Sequence, residues 1–301
     1  MTVPRLEVVL GPLLFNWPAE RVADLYARIA DEAPVDRVYL GEVVCGKREP
    51  LLQHTLVAAS ERLEKAGKAV VWSTLALPMT PRDRRGVADM AADPERLIEI
   101  NDAAALWSRS AGSFVAGPML NIYNEAAARE LMARGCTRLC ANVELSLSAI
   151  SALSKGCPGL EIELFAFGRL PLALSGRCYH ARTHGLHRDS CRYVCDRDPD
   201  GLTVRTLGGQ DFLAVNGVQT LSHAYQVADV LPSDLRLAGV TALRLSPQSA
   251  DMVVVAKAFR AFADGRHGRS ELLARLVGAD VPTPFAGGYL RGEAGVAGLG
   301  Q

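Results

Sequence analysis

The chain has 301 residues, 49% of them hydrophobic, and its 33 Lys and Arg balance 33 Asp and Glu, so it carries no formal net charge. That length and apolar share supply a core for one large domain or two small ones, while the neutral balance gives no reason to expect nucleic acid or an anionic membrane surface as a partner. No apolar run reaches the roughly 18 residues of a membrane span, and seven cysteines, an odd number, read as ligands or buried thiols of a reducing, cytoplasmic compartment and not as a disulfide framework.

The opening MTVPRLEVVLGPLLFNWPAE has one early arginine and some apolar residues, but Asn16, Trp17 and Pro18 interrupt it and no small-residue cleavage site follows, so it reads as mature protein. From there β-rich runs and amphipathic stretches alternate. Strands are predicted at 6–12 (LEVVLGP), 35–42 (VDRVYLGE), 69–77 (AVVWSTLAL), 113–119 (SFVAGPM), 137–145 (TRLCANVEL), 161–169 (EIELFAFGR), 212–217 (FLAVNG) and 242–246 (ALRLS). Helices are predicted at 20–32, 51–65, 94–108, 126–134 and 146–154 from apolar residues at three-to-four spacing, with Gly67, Gly112 and Gly135 where helices would end.

This alternation argues for an α/β protein with a parallel sheet. Eight strands in this length fit a (β/α)8 TIM-like barrel, one domain over 1–301, whose functional groups gather on loops after the C-terminal ends of the strands. A doubly wound open sheet has the same periodicity and is the competing arrangement, although no GxGxxG follows any strand. The stretch 170–210, after the sixth strand, shows no helical repeat and is read as an inserted cysteine-bearing loop that a bound cluster would order. The segment 282–301 is a glycine-rich, loosely packed tail whose Tyr289 and Leu290 could dock on the body.

Chemistry concentrates in cysteine. Cys178, Cys191 and Cys195 crowd one basic loop, GRCYHARTHGLHRDSCRYVC; Cys45 follows the second strand and Cys178 the sixth, so both could face the same barrel rim. Their spacing is too long for a zinc-ribbon knuckle, and the tertiary fold must assemble the site. Four thiolates complete either a tetrahedral zinc or a cubane iron–sulfur cluster. Long-range assembly and a cationic setting favour iron–sulfur: Arg177, Arg182, Arg188, Arg192 and Arg197 surround the ligands against Asp189, Asp196 and Asp198, and cations offset the charge of a thiolate-bound cluster. His180, His184 and His187 are expected to be exposed or to lie behind the ligands. Cys136 and Cys140 are read as buried strand residues and Cys157 as an incidental turn residue. Glu42, Glu144 and Asn121 sit at strand ends where barrel enzymes place functional groups, though such side chains also cap helices. No HExxH, GxSxG, Walker loop or legible Ser-His-Asp group occurs.

YLGEVVCGKRE around Cys45, STLAL at 73–77, FVAGPMLNIYN at 114–124 and FAFGRLPLALSGRCYHAR running into DSCRYVC resemble the collagenase-like peptidase family, and LGPLLFNWP, FLAVNGVQTLS, VTALRLSPQ and GGYLRGEAG extend the likeness over essentially the whole chain. The resemblance implies a 4Fe-4S cluster on Cys45, Cys178, Cys191 and Cys195. It further implies a heterodimer with the paralogue UbiU, and hydroxylation of ubiquinone precursors without molecular oxygen, with prephenate as oxygen donor. The peptidase label does not carry over as an activity, since no nucleophile and general-base pair and no open zinc site with a Glu base is legible. A family-type hydrolase and a non-catalytic electron-transfer or scaffold subunit are the alternatives.

Overall fold

The computed structural model describes residues 5–299; residues 1–4 of the opening segment and 300–301 of the tail lie outside the described residues. Seven parallel strands come first: β1 (Glu7–Leu10), β2 (Arg37–Leu40), β3 (Ala69–Ser73), β4 (Ile98–Ile100), β5 (Phe114–Ala116), β6 (Cys136–Cys140) and β7 (Glu161–Leu174). Three antiparallel strands follow, β8 (Leu202–Arg205), β9 (Asp211–Asn216) and β10 (Gln219–Val227), then β11 (Val240–Leu245) and the short β12 (Phe285–Ala286). Strand β11 pairs in parallel with both β1 and β7, which closes β1 to β7 and β11 into an eight-stranded barrel. The expected barrel is therefore present and the open sheet is not.

Helices α1 (Ala19–Glu32), α2 (Glu49–Lys65), α3 (Pro81–Ala92), α4 (Ala103–Ser108), α5 (Glu125–Ala133) and α6 (Leu147–Gly156) fill the first six crossovers. The short α7 (Tyr179–Thr183) belongs to the insertion; α8 (Pro232–Leu237) leads into β11, and α9 (Met252–Ala263) and α10 (Arg269–Gly278) follow it. Apolar spacing explains the docking: α1 buries Val22, Tyr26, Ile29 and Ala30, the three-to-four stripe of a helix lying on a sheet. Helix α3 starts at a capping box in which Thr80 Oγ1 accepts from Asp83 N at 3.1 Å and Asp83 Oδ2 accepts from Thr80 N at 3.0 Å. Gly67 and Gly135 directly follow the C-caps of α2 and α5 with positive φ, as helix-terminating glycines should, whereas Gly112, also at positive φ, lies three residues beyond the C-cap of α4. Among the described residues no helix is long and apolar enough to cross a membrane.

Four expectations are corrected. The helix predicted over 94–108 is two elements, β4 and α4, and α3 was not predicted at all. Strand β4 escapes period-two reading because it is three residues long with Glu99 between two isoleucines; that carboxylate is wholly buried and neutralised by Arg244 of β11, Nη1 to Oε1 2.6 Å, with Ser73 Oγ donating to Oε2 at 2.7 Å. The strand predicted at 212–217 exists as β9 but lies outside the barrel, because Gly217 and Val218 turn it directly into β10. The stretch 170–210 is not a structureless loop: β7 continues to Leu174, pairing antiparallel with β10, and α7 and β8 occupy part of the remainder. The tail also has order. Strand β12 pairs with β10, Ala286 bridges Gly298, and Leu290 is buried.

Charge fills part of the interior. Glu163 of β7 accepts from Tyr39 Oη at 2.7 Å and pairs with Arg244 Nε, while Arg138 of β6 reaches Glu7 at 2.8 Å, Glu161 at 2.7 Å and Glu163 at 3.5 Å. The Arg244 guanidinium stacks 4.1 Å from the Tyr39 ring centroid. Such pairs hold only because each charge has several partners, since a lone buried ion costs several kcal/mol.

Candidate four-cysteine centre

The strand-to-helix connection after β2 carries Cys45, and Glu42 at its start accepts the backbone N–H groups of Val44 (2.8 Å) and Cys45 (2.9 Å), which fixes the turn. Helix α2 then begins at Arg48 as its N-cap. On the other side, Cys178 is the N-cap of α7, its sulfur accepting from Ala181 N at 3.4 Å and its thiol donating to Gly217 O at 3.1 Å. Cys191 and Cys195 lie on the turns beyond. The result is one small cavity lined by Cys45, Cys178, Cys191 and Cys195 together with Lys47 and Arg48. None of the seven cysteines is in a disulfide.

Nitrogen donors face these sulfurs. Asn16 Nδ2 donates to Cys195 Sγ at 3.4 Å and Lys47 Nζ to Cys191 Sγ at 3.7 Å; hydrogen bonds to sulfur favour the thiolate, the form that binds metal. Burial pushes the Cys45 and Cys178 thiols up, and Arg48 opposes that shift at both. Arg48 itself is 1% exposed, with Nη2 donating to Asn216 Oδ1 at 2.7 Å and Nη1 to Leu14 O at 3.4 Å. Burial works against its charge, and Glu42, Cys195 and Cys45 more than offset that cost. Asn216 completes the frame, donating to Cys195 O at 2.9 Å and Asp198 O at 2.8 Å. Gly217 is required beside it: at φ +66°, a Cβ would stand 2.3 Å from Arg48 Nη2.

The donor set and its width bear on what it could hold. Four thiolates at about 2.3 Å from a single tetrahedral zinc sit roughly 3.8 Å apart. Among the described residues no three of these sulfurs lie within 4.8 Å of one another. As they stand, the four thiols are therefore not drawn up in the close tetrahedral arrangement of a single zinc.

Sequence reasoning named the four cysteines but assigned the cations differently. Arg192 and Arg197 are exposed and line neither this cavity nor the cleft beside it. Arg188 lines both, and Arg177 and Arg182 line the outer cleft with Cys178, Gly176 and His187. The buried cation is Arg48, whose only signal was the Lys-Arg pair after Cys45; Asn16, Asn216 and Gly217 gave none, since only folding brings them to the sulfurs. His184 and His187 are exposed as expected, but His180 is fully buried. Cys136, Cys140 and Cys157 are buried away from the cavity, with burial raising the Cys136 thiol to about 11. Glu144 and Asn121 do meet, across a cleft at the barrel mouth, where Glu144 accepts from Tyr123 Oη at 2.7 Å and Asn121 Oδ1 from Asn142 Nδ2 at 3.0 Å.

The sequence model of peptidase family U32 matches residues 19–268. The chain belongs to peptidase family U32. Within this U32 chain the match takes in all four cysteines and every strand of the barrel except β1. Two solved structures overlie it at low similarity. One is a chain of the tryptophan synthase complex from Pyrococcus furiosus, at 11% identity, covering 96% of this chain and 99% of that chain with a TM-score of 0.39. The other is an uncharacterized protein from Clostridium thermocellum that binds two copies of 5-methyl-5,6,7,8-tetrahydrofolic acid, at 11% identity, 88% and 96% coverage and a TM-score of 0.41. The barrel assignment rests on the strand pairing described above.

Proposed function

We propose that this U32 chain is an iron–sulfur subunit of the UbiV type, carrying a 4Fe-4S cluster on Cys45, Cys178, Cys191 and Cys195 and acting with the paralogue UbiU in oxygen-independent hydroxylation of ubiquinone precursors. The observation that carries the reading is the convergence of four unpaired cysteines, one following β2 and three following β7, on a single cavity. When bound, such a cluster supplies one-electron storage, and with four cysteine ligands it has no vacant iron position for substrate. The chain's own residues set its surroundings. Arg48 places a buried positive charge beside the thiolates, Lys47 and Asn16 donate hydrogen bonds to sulfur, and Trp17 closes the insertion by donating from Nε1 to Pro199 O at 2.7 Å.

Prephenate, the proposed oxygen donor, is a dicarboxylate. The outer cleft beside Cys178 presents Arg177, Arg182 and Arg188, whose guanidinium groups suit carboxylates. The test is anaerobic co-expression with UbiU of the wild type and of Cys191→Ala, with iron, sulfide and visible absorption measured beside product hydroxylation. The reading expects Cys191→Ala to lose cluster and hydroxylation together, while Cys136→Ala keeps both. A full cluster in Cys191→Ala overturns the ligand set, and a cluster lost with hydroxylation intact overturns the role. Peptide hydrolysis by the purified chain would favour the family label as an activity.

A further inference from the structure

A second cluster of metal-binding side chains lies outside the lining of the cysteine cavity. His180, His184 and Asp198 each bring one ligand atom to within 4.8 Å of the others. His180 and His184 are four apart across α7 and its C-cap, so their imidazoles share a face, with ring centroids 5.5 Å apart. Asp198 is brought to them by its backbone, whose carbonyl accepts from Asn216 Nδ2 at 2.8 Å and from Gly201 N at 2.9 Å.

The decisive group is His180. It is fully buried, and its Nδ1 lies 3.2 Å from the carbonyl oxygen of Val215. A carbonyl only accepts, so Nδ1 donates to it, and Nε2 is the ring atom left to face Asp198. That Nε2 has no hydrogen-bond donor, yet it faces Asp198 Oδ2 at 3.1 Å. A ring nitrogen and a carboxylate oxygen this close need a positive centre between or beside them, a proton or a metal ion. A ring held by an Nδ1–H to carbonyl bond with Nε2 aimed at a carboxylate is the arrangement that orients histidine toward a metal.

We propose that His180, His184 and Asp198 form a binding site for a zinc-like divalent transition ion, separate from the cysteine centre. Two imidazole nitrogens and one carboxylate oxygen are a borderline donor set that suits Zn2+. Three protein donors leave a coordination position for water or an anionic ligand, and exposed His184 gives the ion a path from solvent. Through α7, whose N-cap is Cys178, and through Asn216, which also holds Cys195 O, a bound ion would brace the segment that presents two of the four cysteines.

The experiment uses the full chain purified anaerobically, with iron and sulfide quantified first. Equilibrium dialysis against Zn2+ is followed by X-ray absorption at the zinc edge, which iron does not obscure. The expected result is one added zinc per chain with nitrogen and oxygen neighbours at about 2.0–2.2 Å. Exposed His184→Ala should weaken zinc binding at least on the order of tenfold and leave iron and sulfide unchanged; Asp198→Asn should weaken it in the same direction. Absence of zinc binding, which an ordinary imidazolium–carboxylate pair would give, overturns the proposal. So does sulfur at about 2.3 Å, which would put the zinc on cysteine, or wild-type affinity in His184→Ala. Iron and sulfide content reads the cysteine centre independently, so failure of one site is not mistaken for failure of the other.

Discussion

Arg48→Met should uncouple the two halves of the cysteine centre. Methionine fills much of the arginine's volume, so the perturbation is chiefly the removal of a buried positive charge and its hydrogen bonds. Asn216 Oδ1 loses its 2.7 Å donor, and leaving a buried acceptor unsatisfied costs about 1–3 kcal/mol. Glu42, Cys45 and Cys195 lose the cation that offsets their charge. A loss of that size corresponds to a fall in Tm of roughly 2–12 °C at about 2–4 °C per kcal/mol. Scanning calorimetry of anaerobically purified protein measures this, with iron per chain measured on the same samples; both should fall. Exposed Arg182→Met is the control and should stay within about 0.5 kcal/mol of the wild type. An Arg48→Met protein with wild-type Tm and full iron would refute the view that this guanidinium is the electrostatic centre of the site.

Gly217→Ala attacks the same point sterically: its Cβ would meet Arg48 Nη2 at 2.3 Å in a backbone of positive φ, so a loss of at least about 1–2 kcal/mol and reduced iron are expected from denaturation and iron analysis. Glu163→Gln tests the barrel interior. Burial alone would raise the Glu163 carboxyl, but Arg244, Arg138 and the Tyr39 hydrogen bond outweigh it and hold the group below its ordinary value of 4.5. A depressed carboxyl contributes stability that is present above its unfolded value and lost as pH falls through its folded one. Urea denaturation across pH should therefore show Glu163→Gln least stable relative to the wild type near neutrality, with the gap shrinking below about pH 4.5. A gap that does not change with pH would mean that packing, and not charge, holds Glu163 in place.

The sequence alone determined the repeating strand–helix order and four of the residues in the candidate centre, because both are local signals. Alternation and three-to-four spacing are properties of consecutive residues, and cysteines crowded in a polar loop stand out by type. It could not reveal β4, whose inward Glu99 makes sense only beside Arg244, more than a hundred residues away. Nor could it separate β9 from the barrel, since a strand's own pattern does not say which neighbour it pairs with. Tertiary structure decided closure, through the pairing of β11 with both β1 and β7. It also decided which cation is buried. Five loop arginines looked alike in sequence, yet hydration keeps four of them at the surface, while the helix start after Cys45 drives Arg48 inward against Asn216, where desolvation makes its charge count most. His180 followed the same rule: its spacing to His184 was readable, but its buried Nε2 faces Asp198 only once α7 packs against β9.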